Sequence, residues 1–315
     1  MRFRTLGSSG PAISELGFGA SPLGGIYGTF AEQDGIAAVY AALDAGINFL
    51  DVSPYYGITA AETLLGKALR GLDRDLYVLA TKVGRYGDDE FDFSAARVTR
   101  SVRESMERLG VGHIDLIQCH DVEFGSLDQV VSETIPALRA LQETGLIRWV
   151  GVTGYPLPAL LHVARQLPLD TVMSYCQYTV QDRRLASRAA EFAAAGVELI
   201  NASPLAMGAL TDRGAPPWHP APARVLDRCA QAAAWCRERG SSLAKLALQF
   251  SVLTSPGVTT VVGSASPANV RRDIDWIGEP IDADLLAEVE AILEPVRDIG
   301  WISGRPGNQD PGRPA

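Results

Sequence analysis

The sequence predicts a (β/α)₈ barrel, eight parallel strands closed into a ring and wrapped by helices, as one domain over residues 1–307. Short apolar runs alternate with longer segments of helical period along the whole chain, the rhythm of a parallel sheet covered by helices. Eight such runs fit into 315 residues, the size and count this barrel requires. No G-x-G-x-x-G follows the first run, so the usual fingerprint of the rival architecture, a doubly wound open sheet, is missing.

In chain order the runs are LGFGAS (16–21), INFLDV (47–52), LYVLATKV (76–83), IDLIQCH (114–120), IRWVGVTG (147–154), TVMSYCQ (171–177), ELINASP (198–204) and VTTVVGS (258–264). Between them AAVYAALDAG (37–46) reads as helix. SAARVTRSVRESMERLG (94–110) does so too, with Val98, Val102, Met106 and Leu109 on one stripe. SETIPALRALQETG (132–145) has the same period and stops at Gly145, a natural C-terminal cap. The proline-rich GAPPWHPAPAR (214–224) reads as a loop over the barrel mouth. Residues 308–315 lack apolar side chains and read as a disordered tail.

Composition excludes several functions. A formal charge of −9 argues against nucleic-acid and anionic-membrane partners, both of which need a basic face. No apolar run approaches the roughly 18 residues that span a bilayer, and the N-terminal segment has no signal-peptide core. The expectation is a cytoplasmic protein. The four cysteines lack C-x-x-C spacing, with Cys119 and Cys176 in strand-like runs and Cys229 and Cys236 seven apart in a helical stretch. They read as buried thiols, with neither zinc nor disulfides implied. The four histidines have no paired-ligand pattern, so no metal is expected.

In such a barrel the chemistry lies at the C-terminal ends of the strands. Asp51, Lys82 and His120 end the second, third and fourth runs, and Tyr56 stands in the turn after Asp51. Gln177 ends the sixth, with Asn201 and Ser203 near the end of the seventh. Singly, each has an ordinary structural role; four at one end of one barrel point to a site. A phenol with a pKa near 10 exchanges protons poorly at neutral pH. A nearby ammonium lowers that pKa, and a buried lysine needs a carboxylate such as Asp51. The set reads as a tuned tyrosine acid/base beside an imidazole that hydrogen-bonds the substrate oxygen.

LDVSPYYG, ATKVG and LIQCHD, together with the opening RTLGSSGPAISELGFGASPLGG, closely resemble the aldo-keto reductases, and the resemblance extends over essentially the whole chain. It implies a (β/α)₈ oxidoreductase that uses a nicotinamide cofactor. Carried over, Tyr56 is the general acid/base, Lys82 and Asp51 tune its pKa, and His120 orients the substrate. Thr153 and Gln177 hold the carboxamide, and NASPLAMGAL (201–210) wraps the pyrophosphate through Ser203, Leu205, Gly208 and Leu210. VVGSASPANVRRD (261–273) takes the adenosine end through Gly263, Ser264, Asn269 and Asp273. Relatives that prefer NADP carry a lysine and an arginine where this chain has Gly263 and Asn269. The resemblance therefore implies NAD as preferred cofactor, with NADP admissible. Arg271 and Arg272 complicate that inference and read as a solvated helix face. Two positions depart from the family: Ala202 replaces an aromatic residue that stacks on the nicotinamide, and Gly154 a frequent asparagine.

Several loop stretches, HDVEFGSLDQVVSETIPAL (120–138), SYCQY (174–178), ASPLAMGALTDRGAPPWHP (202–220) and WISG (301–304), are similar to plant-type L-galactose dehydrogenases. That group of the family oxidises an aldose at C1 to the lactone, so a sugar such as L-galactose or L-fucose is the implied substrate. Tyr27, Phe124, Trp218, His219 and Trp301 are the loop residues offered for reading it, with loop packing the alternative for each. An NADPH-dependent aldehyde or ketone reductase of the same fold, oxidation of another alcohol such as pyridoxal, and a cofactor-binding regulatory subunit are the other readings. The oligomeric state stays open.

Overall fold

The chain opens with a hairpin, Phe3–Thr5 paired antiparallel with Ala12–Ser14. Its Leu6 and Ile13 pack into the bottom of the barrel that follows. The structure, a computed structural model, describes residues 1–7 and 10–310. The barrel strands are β1 (Leu16–Gly19), β2 (Phe49–Asp51), β3 (Val78–Val83), β4 (Ile114–Cys119), β5 (Ile147–Gly154), β6 (Thr171–Tyr175), β7 (Glu198–Ala202) and β8 (Thr259–Gly263). All pair in parallel in chain order, and β8 closes the ring against β1. The eight expected runs are these eight strands; the fifth keeps its bounds, and the others are trimmed where their ends leave the ladder.

Successive strand residues face alternately inward and outward, and the inward set explains the site. Phe49, Val78, Ala80, Leu116, Met173, Ile200 and Val261 fill the interior. One step further up, the same alternation places Asp51 above Phe49, Lys82 above Ala80, and Gln118 then His120 above Leu116. The apolar interior thus ends in a polar layer at the mouth. Outward residues lock the helices in place: Glu62, fully buried on the helix Ala60–Leu69, accepts hydrogen bonds from Thr81 of β3 (2.6 Å) and from Arg108 (2.6 Å).

The helix Ala95–Leu109 is capped by Ser94 and ends at left-handed Gly110; Val98, Val102 and Leu109 are buried and Met106 is half-buried, as expected. The third helix begins earlier than the sequence suggests. Ser126 caps it ahead of Leu127, and a wide turn over Val130–Thr134 precedes Ile135–Glu143. Pro136 has no N–H to donate and crowds the carbonyl four residues back, which favours the wider turn. The segment 214–222 is irregular, as expected, before the helix Ala223–Glu238. All four cysteines are buried and unpaired.

The expected tail is corrected at its start. Residues 306–308 form a helical turn, and Asn308 donates to the carbonyls of Glu123 (2.8 Å) and Gly125 (2.9 Å), tying the C-terminal segment to the loop after β4. Residues 311–315 lie outside the described residues.

Gly66 lies where the helix Ala60–Leu69 packs tightly on the helix Ala95–Leu109. A Cβ there would strike the Arg108 carbonyl. Helix propensity alone favours alanine over glycine by about 1 kcal/mol, but overpacking costs about 1–3 kcal/mol. Gly66→Ala should therefore lower Tm, measured by thermal denaturation, rather than raise it.

Candidate active site

Lys82 and Asp51 form the floor of the mouth. The ammonium donates to Asp51 Oδ2 (2.6 Å) and to the Val52 carbonyl (2.9 Å), while Gln118 Nε2 donates to Asp51 Oδ1 (3.0 Å). Lys82 is 1% exposed and Asp51 4%, so both charges need this pairing. Burial pushes the Asp51 carboxyl up, and Lys82 and Gln118 pull it back.

Tyr56 is set by its backbone. Gly57, left-handed at φ 63°, lies against Gly24, leaving no room for a side chain on either. The ring meets His120 edge-on, with centroids 5.6 Å apart and planes at 88°. Lys82 Nζ is 4.8 Å from the Tyr56 ring centroid, and its charge is committed to Asp51. The phenol is consequently not lowered as the sequence suggested. Burial, then the carboxylates of Asp51 and Asp121, hold it well above its usual value.

His120 is kept neutral by burial and by the neighbouring charges of Lys82 and Arg85. Ser53 Oγ lies 3.0 Å from His120 Nδ1 and also accepts the Tyr55 N–H. The Ser53 hydroxyl hydrogen finds no other acceptor among the described residues, so it goes to Nδ1, and Nε2 carries the ring proton. Asp121 Oδ2 is 3.6 Å from Nε2, too far for a hydrogen bond, so that N–H stays available to an oxygen in the mouth. Arg85 pairs with Asp121 (2.6 Å), lies 3.7 Å from the Tyr55 ring centroid, and is flanked by Phe91 and Phe124.

The expected cofactor residues lie at the same end. Thr153 accepts the Asp121 N–H (3.2 Å). Gln177 sits beyond β6 rather than at its end, after left-handed Cys176, and its Nε2 bonds the Tyr155 carbonyl. Gln177 Oε1 is buried without a partner among the described residues, an acceptor that fits the amide hydrogens of a carboxamide. Asn201, between inward Ile200 and Ala202, faces the helix layer instead, its Nδ2 donating to the Tyr178 carbonyl (3.1 Å). In the 203–210 turn Ser203, Ala206 and Met207 all have φ near +50°. Most N–H groups there are spent within the turn: those of Ala206, Gly208 and Leu210 bond Ser203 and Leu205 carbonyls. The Ser203 N–H is taken by Val261, while the Leu205 N–H has no partner among the described residues.

At the adenosine end, a Cβ on Gly263 would meet Pro22 Cδ at 2.8 Å, so no side chain fits there. Ser264 Oγ accepts the Ser266 N–H (3.1 Å), and Ser266 caps the helix Pro267–Gly278 at exposed Asn269. Arg272 pairs with buried Asp273 (3.0 Å) and lies over Trp276.

The loop residues divide. Tyr27 is exposed and packs near Trp218, with ring centroids 5.9 Å apart; burial of its hydroxyl, with Cys176 and Tyr56 close by, pushes its pKa up. Phe124 stacks on Phe91 (4.8 Å), and Trp301 on Tyr155 (4.2 Å). His219 is withdrawn from substrate: Nδ1 accepts the Ala221 N–H (3.1 Å) and Nε2 donates to the Ala206 carbonyl (3.0 Å). Both nitrogens hold the loop. Residues not singled out from the sequence are Ser53, Arg85, Gln118, Asp121, Glu123 and Tyr175. Gln118 follows from strand alternation with His120, and Tyr175, inward on β6, pairs in register with Ala202.

The family model described as "Aldo/keto reductase family" matches residues 15–294. The chain belongs to this family. It is 45% identical to the L-galactose dehydrogenase of Arabidopsis thaliana, over 96% of this chain and 98% of that one. It is 30% identical to the D-threo-aldose 1-dehydrogenase of a Pseudomonas species, over 91% and 97%. An aldo-keto reductase from Bacillus halodurans, solved in its holo form, superposes with a TM-score of 0.77 at 28% identity, covering 98% and 99%. The chain is an oxidoreductase of a family that uses nicotinamide cofactors and acts on CH–OH and aldehyde groups.

Glu123 explains why Gly154 departs from the family. A Cβ on Gly154 would meet Glu123 Oε2, so a larger residue there would have to push the Glu123 carboxylate aside. Glu123 Oε1 accepts the Tyr155 N–H (3.0 Å) and the Ser303 hydroxyl (2.9 Å), and burial with Asp121 nearby pushes the carboxyl up to about 8. A raised carboxyl pKa favours folding fully below the unfolded value and loses that contribution as pH rises toward 8. Glu123→Gln should leave Tm unchanged near pH 4 and raise it relative to wild type at pH 8.5, read by thermal denaturation at both pH values.

Proposed function

We propose that the protein is an NAD-dependent aldose 1-dehydrogenase that oxidises a sugar such as L-galactose or L-fucose at C1 to the lactone. The observation that carries this reading is the buried Asp51–Lys82 pair beneath Tyr56 and neutral His120, in a chain similar along its length to named aldose dehydrogenases. The cofactor, when bound, supplies the hydride acceptor and, oxidised, a positive charge. Thr153 and Gln177 would hold its carboxamide, Ser203 with the 205–210 turn its pyrophosphate, and Ser264, Asn269 and Asp273 its adenosine end.

On this reading Tyr56 accepts the C1 hydroxyl proton as C1 loses a hydride. His120 donates its Nε2–H to the same oxygen, and Ser53 keeps the tautomer that allows it. The preference for NAD is supported by Gly263, which Pro22 keeps bare, by uncharged Asn269, and by an Arg272 engaged with Asp273 and Trp276. Four buried thiols accord with a cytoplasmic setting; no described helix is long and apolar enough to cross a membrane.

The decisive test is initial rates of NADH and NADPH formation with L-galactose, L-fucose, D-arabinose, L-glucose and D-glucose. NAD-linked turnover of one or two of these is expected. Inactivity with all of them, together with NADPH consumption on simple aldehydes, would establish the reductase reading instead.

Tyr56→Phe should lose nearly all turnover, at least about 10²-fold in kcat, yet still bind NAD by fluorescence titration. Retained turnover would remove the acid/base assignment. Because the phenol lies above its usual pKa and must be ionised to accept a proton, the oxidation step should quicken from pH 7 to 9.5. A flat single-turnover profile would contradict it.

A further inference from the structure

Asp121 lies beside the reacting centre and has no part in the acid/base set. It follows His120 directly, at φ 51°, a left-handed conformation that costs a non-glycine residue energy and persists only where the surroundings enforce it. The residue is 5% exposed. Arg85 Nη1 holds Oδ2 at 2.6 Å, and Arg85 is itself fixed against Tyr55, whose hydroxyl donates to Asp88 (2.9 Å). Oδ1 receives no hydrogen bond among the described residues. The carboxylate therefore has one oxygen anchored and one unused, with Oδ2 3.6 Å from the His120 nitrogen assigned to the C1 oxygen.

A carboxylate oxygen to which no protein group donates is free to accept a hydrogen bond from a ligand hydroxyl, and hydrogen bonds to charged acceptors are the stronger kind. In a sugar, the hydroxyl on C2 is the nearest neighbour of the C1 oxygen and lies about one hydrogen-bond length from it. Tyr56 and His120 are taken up by the C1 oxygen, and the Asp121 carboxylate lies beside them, Oδ2 3.6 Å from the His120 nitrogen. Burial holds the Asp121 carboxyl up even though Arg85 and Lys82 draw it down, which marks its charge as incompletely compensated before substrate arrives.

We propose that Asp121, held by Arg85, accepts a hydrogen bond from the C2 hydroxyl of the substrate and so selects 2-hydroxy aldoses over 2-deoxy sugars and simple alcohols. This rests on the aldose dehydrogenase reading and extends it to the source of specificity. Arg85 is the positioning residue: with Oδ2 fixed, Oδ1 keeps one orientation toward the substrate. Loss of Arg85 would leave the carboxylate free to turn to the Nε2–H of His120.

The test is kcat/KM of wild type and Asp121→Asn with L-galactose and 2-deoxy-L-galactose. Wild type should favour L-galactose by at least about 10-fold, the range expected for a hydrogen bond to a charged group. Asp121→Asn should lose most of that preference, with the fall concentrated on L-galactose and NAD affinity unchanged. An equal fall on both sugars would assign Asp121 to the electrostatics of His120 and overturn the proposal, as would an unaltered ratio. Those results leave the aldose dehydrogenase reading standing. Wild-type inactivity on every aldose removes that reading and this proposal with it. Arg85→Lys, which keeps the charge and loses the planar fork, should shrink the same ratio in part.

Discussion

The mouth of this barrel is organised around one buried ion pair. Lys82 and Asp51 are both nearly inaccessible, and an isolated charge at either position would cost several kcal/mol. The barrel offsets that cost with an inventory spread over three strands: Asp51 at the end of β2, Lys82 on β3, Gln118 on β4, and the Val52 carbonyl. These contacts exist only if β2, β3 and β4 keep their registers, Asp51 beside Ala80 and Lys82 beside Gln118. A shift of one residue would turn every one of these side chains outward. The buried charges thus tie the chemistry to the register of the sheet.

Backbone strain is concentrated at the same end. Most non-glycine residues with left-handed φ follow barrel strands: Ile58 and Thr59 after β2, Asp121 after β4, Cys176 after β6, and Ser203, Ala206 and Met207 after β7. Each is unfavourable locally and is held by tertiary bonds such as Asp121 N–H to Thr153 and Cys176 N–H to Ala202. The C-terminal segment adds a cover on one side. Ser303 and Asn308 reach Glu123, whose carboxyl fills the space beside Gly154. A larger residue at 154 would have to displace the carboxylate at 123, so the departure at Gly154 is matched by the loop that follows β4.

Much of this was legible in the sequence, for definite reasons. Strand alternation and helical period are local, so all eight strands and the placement of Asp51, Lys82 and His120 could be read from residue order. What escaped depends on contacts between distant segments. The engagement of both His219 nitrogens requires Ala206 and Ala221 to be positioned around it, and the start of the tail requires Glu123 to be in place for Asn308. The start of the helix at Leu127, ahead of the expected 132, depends on the wide turn over Val130–Thr134 that carries the helix past Pro136, and helical period alone does not show such a turn. Ser53 and Asp121 lay inside motifs already singled out, but their roles follow only from which atoms of His120 they face.

The Lys82–Asp51 pair also bears on the direction of reaction. Had Lys82 been free, its charge would have lowered the Tyr56 pKa in every state of the enzyme. Committed to Asp51 it does not, and Asp51 and Asp121 together push the phenol up. The mouth is thus short of positive charge at the tyrosine while His120 stays neutral. On the reading proposed, an oxidised nicotinamide ring brings a positive charge and a reduced ring brings none. A phenolate would bind beside the cation better than beside the neutral ring, and by reciprocity the cation would ease ionisation of the phenol. Tyr56 would then hold its proton when a hydroxyl product must be made and release it when a hydroxyl must be deprotonated, so one residue could serve both directions, switched by the charge of the ring beside it.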